Sequence, residues 1–84
     1  MAKKKYADEL SAALSKVVLK HRQRLGWSQN ELANATSFHR TYIADVEQGT
    51  RNLAVRNLSR LAQIFGVQSS RLLKEAEKLV GQKS

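Results

Sequence analysis

The chain contains no cysteine and no proline. Without cysteine there is no disulfide framework and no thiolate metal site. Two histidines and no clustered acidic pair give a metal ion little to bind, so no metal and no cofactor are expected. Catalysis is not expected either: there is no glycine-rich phosphate loop and no Ser or Cys beside an evident base. Apolar runs never exceed three residues, as in Val17-Val18-Leu19, so no transmembrane span and no membrane partner are expected. The opening Met1-Ala2-Lys3-Lys4-Lys5 has no apolar region behind it, unlike a secretory signal. These absences point to a soluble, cytoplasmic chain. Aromatics are few, one Trp, two Tyr and two Phe, and most sit at core spacing. That composition argues against a general single-strand binder working by base stacking. Acidic residues are also scarce, 7 against 15 Lys and Arg, for a net charge of +8. Such an excess calls for an anionic partner, and in a small domain it is the footprint of a nucleic-acid binder.

What is present is helical periodicity. At 84 residues the chain makes one domain, 1–84, burying about 60% of its unfolded surface. Strand alternation is nowhere sustained, so the fold class is all-α. A first helix is predicted over 8–25, with Leu10, Leu14, Val17, Val18 and Leu25 on its apolar face and residues 1–7 as a flexible basic tail. Ser28 with Glu31 three residues later has capping-box spacing, opening a second helix over 29–35 with Leu32 and Ala33 inward. After a break at Thr36-Ser37, a third helix over 39–48 buries Ile43 and Val46. A fourth is expected over 55–65 and a fifth over 70–80. Gly26, Gly49, Gly66 and Gly81 fall near the helix ends. The expected architecture is a compact five-helix bundle.

Two short helices joined by a tight turn, their starts about ten residues apart, describe a helix-turn-helix. The segment Gly26-Trp27-Ser28-Gln29-Asn30-Glu31-Leu32-Ala33 resembles the opening of that motif in the Cro/CI-like (XRE) family of phage repressors and bacterial regulators. Tyr42-Ile43-Ala44-Asp45-Val46-Glu47-Gln48-Gly49 is similar to the end of its recognition helix. The resemblance covers about residues 14–65 and implies a lambda-repressor-like DNA-binding domain. Within the family, Arg40-Thr41-Tyr42-Ile43 with Glu47 and Arg51-Asn52-Leu53 looks closest to the controller proteins of restriction–modification systems, which are small dimeric regulators.

A recognition helix reads bases near its N-terminus. Arg40, Thr41 and Tyr42 stand there, with Ala44 and Asp45 a turn further on, as candidate base readers. Arg40 suits guanine O6 and N7, and Thr41 a thymine methyl or a phosphate. Tyr42 is equally a core or a contact residue. Asp45 either accepts from cytosine N4 or orients a cation. Gln29, at a helix N-terminus, is a candidate for DNA-backbone phosphate; in the family this residue does contact the backbone. His39, Arg51 and Asn52 join it. The resemblance further implies that Arg22 and Glu47 form a partly buried structural ion pair. Trp27 is expected to pack under the first two helices, and His21 to be a packing residue. The Lys3-Lys4-Lys5 run is a tail or a phosphate-tracking arm. Region 67–84, through Val67, Leu72, Leu73, Leu79 and Val80, is expected to pair copies into a homodimer. Its two recognition helices would then lie about 34 Å apart and read an inverted repeat in the major groove of double-stranded DNA. Rival readings are a phage- or mobile-element-type repressor and an antitoxin-like protein-interaction module.

Overall fold

A computed structural model describes residues 2–81, with side chains from Tyr6 onward. Five α-helices follow one another: α1 (Ala2–Arg24), α2 (Gln29–Thr36), α3 (Arg40–Gln48), α4 (Val55–Phe65) and α5 (Ser69–Gly81). No strand occurs among the described residues, in keeping with the all-α expectation. None of these helices is long and apolar enough to cross a membrane.

The second helix starts where its cap dictates. Ser28 Oγ accepts from Glu31 N–H at 3.1 Å, and Glu31 Oε1 accepts from Ser28 N–H at 2.8 Å. Two amide donors that a helix start leaves orphaned are thereby satisfied. The turn into α3 is built on Thr36, which is fully buried; its hydroxyl donates to the Leu32 and Ala33 carbonyls and accepts from Phe38 N–H. Ser37 then takes the left-handed conformation, φ 66°, that reverses the chain. Gly49 closes α3 at φ 79°, its N–H reaching the Asp45 and Val46 carbonyls. A Cβ at this position would come within 3.4 Å of Ser15 Oγ, so the end of α3 also packs closely on α1.

Two apolar clusters hold the helices together. One joins α1, α4 and α5 through Leu14, Val17, Leu58, Ala62, Leu72 and Ala76. The other fixes the helix-turn-helix, gathering Val18, Leu32, Ala33, Ile43, Val46 and Leu61. Leu53 and Phe65 touch both, so the loop after α3 is tied to the same core.

Several expectations need correction. The first helix begins at Ala2, so residues 2–7, expected as a flexible tail, continue α1; the side chains of Lys3, Lys4 and Lys5 lie outside the described residues, as do positions 1 and 82–84. Leu25 falls just beyond the end of α1 and is 43% exposed instead of core. Leu72, expected at the dimer contact, is 0% exposed within one chain: it fills the monomer's own core and has no surface to offer a partner. Val67, Leu79 and Val80 are half-buried against the same cluster, while Leu73 stands exposed.

Candidate nucleic-acid interface

At 100° per residue, Ile43 and Val46 turn α3 inward, and Thr41, Ala44, Asp45 and Gln48 occupy the opposite side. Arg40 lies on the flank toward α2, and Tyr42 on the flank toward α4. The exposed side therefore combines a hydroxyl, a methyl, a carboxylate and an amide, with a guanidinium at its edge. Gln48 was not singled out from the sequence, although its spacing from Ala44 and Thr41 already places it on this face.

The two flanks are held differently. On the α2 side, Arg22 Nε donates to Glu47 Oε2 at 2.7 Å and Nη2 to Oε1 at 3.1 Å. The carboxylate is nearly inaccessible, at 4% side-chain exposure, and the guanidinium is at 14%. Arg22 Nη1 also donates to the Trp27 carbonyl at 2.7 Å, which locks the α1–α2 connection to α3. The hydrogen-bonded Glu47 carboxylate raises the Arg22 pKa above its ordinary value, against the opposing effect of burial. Gln29 Nε2 donates to the same Glu47 oxygen at 3.0 Å, and Gln29 Oε1 accepts from Arg40 Nη1 at 3.4 Å. A continuous chain thus runs from Arg22 through Glu47 and Gln29 to the exposed head of Arg40. The sequence reading had placed Gln29 only against phosphate; its amide also joins α2 to α3.

On the α4 side, Asn57 Nδ2 donates to the Tyr42 hydroxyl at 2.8 Å. The Tyr42 ring meets Phe38 edge-on at 5.1 Å, and the Arg51 guanidinium lies 5.6 Å from its centroid. Tyr42 is half-buried here, so it turns away from the face shared by Thr41 and Gln48. Arg51 also approaches Asp45 Oδ2 at 3.4 Å. Asp45 therefore orients a cation, and the cation is Arg51, not Arg40. Ser37, His39, Thr41, Tyr42, Arg51 and Asn57 line a concavity of about 500 Å³ between the start of α3 and the loop before α4. His39 is the N-cap residue of α3 without a side-chain cap bond, and Asn52 is exposed in the following loop.

The electrostatic outcome is uneven. Both carboxylates of α3 are matched, Glu47 by Arg22 and Asp45 by Arg51, whereas Arg40 has no acidic partner among the described residues. His39, Thr41 and Arg51 line the concavity on one flank, and Arg40 with Gln29 stands on the other flank of the exposed side of α3. Ala44 is half-buried on it.

Comparison with known proteins places this arrangement among relatives. The Control protein C.BamHI of Bacillus amyloliquefaciens is 46% identical over 46 residues, 55% of this chain and 57% of that protein. The Neisseria hypothetical transcription factor of Neisseria meningitidis serogroup B is 37% identical over 66 residues, 79% of this chain and 62% of that protein. This chain thus spans less than two thirds of the length of both curated relatives. The crystal structure of the restriction-modification controller protein C.AhdI from Aeromonas hydrophila superposes with a TM-score of 0.69 at 28% identity, covering 73% of this chain and 92% of that one. A family model described as helix-turn-helix matches residues 18–72, from the middle of α1 through α2 and α3 into α5. With the capped α2, the tight turn at Ser37 and the Arg22–Glu47 brace all inside that stretch, the chain belongs to the helix-turn-helix family.

Proposed function

We propose that the chain is a sequence-specific, DNA-binding transcriptional regulator that inserts α3 into the major groove. The observation that carries this reading is the outward side of α3: its own carboxylates are matched, and Arg40 is left as an exposed cation on a braced mount. Arg40 and Thr41 read base edges, with Gln48 and Ala44 further along; an Arg bidentate to guanine is the commonest specific contact. Gln29, His39, Arg51 and Asn52 meet phosphates on either side and set the register. Tyr42 serves by shaping the concavity beside them more than by reading bases. The task is binding and not turnover, carried out in the cytoplasm on the nucleoid.

The regulator acts as a homodimer on an inverted repeat. Leu73 and Val80 lie together on one flank of α5 and, with Val67 at its margin, supply the self-complementary contact. The names of C.BamHI and C.AhdI, a control protein and a restriction-modification controller, support the finer reading of a restriction–modification controller.

Selection of bound duplexes from a random pool at moderate salt tests the proposal. Recovery of an inverted repeat with half-sites about one helical turn apart is the expected result. A pool that stays random overturns it.

A further inference from the structure

A second basic surface lies away from α3. Lys16, Lys20 and Arg24 recur every four residues along α1, and Arg71, Lys74 and Lys78 at three- and four-residue spacing along α5. All six are exposed. Their helices pack side by side, and the six line two adjoining concavities of about 520 and 470 Å³ that share Arg71, Glu75 and Lys78. Leu79, half-buried, gives the larger one a small apolar floor; Val17 beneath it is 2% exposed and already covered by the core. Six cations face one carboxylate. That carboxylate, Glu75, is already held by His21 Nε2 at 2.9 Å and Arg71 Nε at 3.2 Å. Among the described residues, none of the other five cations has an acidic partner within 4.0 Å.

We propose that this α1–α5 groove docks an acidic amphipathic segment of another protein. The shape and the floor select this occupant. A DNA duplex is convex and reads a basic surface through phosphates alone, which leaves Leu79 uncovered. A peptide helix with carboxylates along both edges meets the cations of α1 and α5 at once, and its apolar stripe lies on the floor and on the lysine stems. On α5, Arg71, Lys74 and Lys78 lie on the flank away from Leu73 and Val80, so the groove stays open when α5 pairs with a second copy. The inference is independent of what α3 binds.

The probe is a synthetic peptide of about 16 residues with Glu at the edges and Leu at helical spacing, enough to span the groove at 1.5 Å per residue. Its control carries Ser in place of each Leu, and a random-sequence duplex is titrated in parallel. Backbone amide shifts of the full chain are the readout. The Leu–Glu peptide is expected to shift amides near Lys20, Lys74 and Lys78, leave those of Arg40 and Thr41 unmoved, and bind at least about tenfold tighter than the Ser control, about 1.4 kcal/mol. Lys20→Glu with Lys78→Glu is expected to weaken it tenfold or more; Lys74→Glu alone gives a second, milder reading if the pair disturbs the fold. Equal affinity of the two peptides, shifts centred on α3, or a duplex that displaces the peptide from α1 and α5 would each overturn the proposal.

Discussion

Arg22 on α1 and Glu47 at the end of α3 form a two-pronged ion pair, and that pair fixes where α3 sits relative to the first two helices. Glu47 also accepts from Gln29, so one buried carboxylate serves three helices. Removing it strands the Arg22 charge in a poorly hydrated site, whereas removing both charges leaves no charge unpaired, only the Trp27 carbonyl and the Gln29 amide without these partners. Glu47→Leu is expected to cost about 3 kcal/mol and lower the melting temperature by more than about 10 °C. Arg22→Met combined with Glu47→Leu is expected to cost clearly less than either single change. Thermal unfolding of the four proteins checks it, and additive losses would contradict the brace.

Ser37 carries the tight turn in a conformation that L-residues avoid, φ 66°. Such a residue costs about 1–2 kcal/mol, and the added freedom of an unfolded glycine takes back about 0.4–1 kcal/mol. Ser37→Gly is therefore expected to stabilise the protein by roughly 0.5 kcal/mol. Ser37→Val, β-branched at the same position, is expected to destabilise it. Urea midpoints of the two variants have to move in opposite directions.

What was legible in the sequence was local. The Ser28–Glu31 spacing located the start of α2, and Gly49 and Gly66 stopped α3 and α4 where the left-handed caps now stand. The break at Thr36-Ser37 needed no partner from elsewhere in the chain. Long-range pairings left no such trace. Nothing in the spacing joins His21 to Glu75, 54 positions on, or Tyr42 to Asn57 across the loop after α3. Periodicity also treated Leu72 and Leu73 alike, because only the rotation of α5 against α1 and α4 decides which one is buried. The start of α1 was missed for another reason: Ala2 to Ala7 has no cap and no apolar stripe, and good helix formers there continue the helix without announcing it.

Glu75 provides a pH test. Burial pushes its carboxyl up, but the hydrogen bonds from His21 and Arg71 and their charges more than offset this, leaving the folded pKa below the ordinary value. A depressed carboxyl stabilises the fold above its unfolded pKa, about 4.3, and the contribution fades as pH falls through the folded value. The melting-temperature gap between the wild type and Glu75→Gln is therefore expected to narrow as the pH falls below about 4.3. A gap that widens with acidification would reverse the assigned sign.

Arg40 and Arg51 flank the same helix face and are expected to fail differently. Arg40 projects from α3 with only a 3.4 Å bond from its own head to Gln29, and so is free to grip a base. Arg40→Ala is expected to relax preference at one base pair by about 1–3 kcal/mol, with smaller losses elsewhere. Arg51, in the loop and paired with Asp45, is the proposed phosphate contact; Arg51→Ala is expected to weaken binding to all duplexes alike and to reduce the salt slope by about one. Asp45→Asn frees Arg51 and removes a carboxylate from the face, so it is expected to strengthen binding to unrelated duplexes and narrow the gap between specific and random DNA. Binding curves against a selected site, its single-base variants and a random duplex at several salt concentrations separate the three. Uniform loss with Arg40→Ala, or base-selective loss with Arg51→Ala, would exchange the roles of the two arginines.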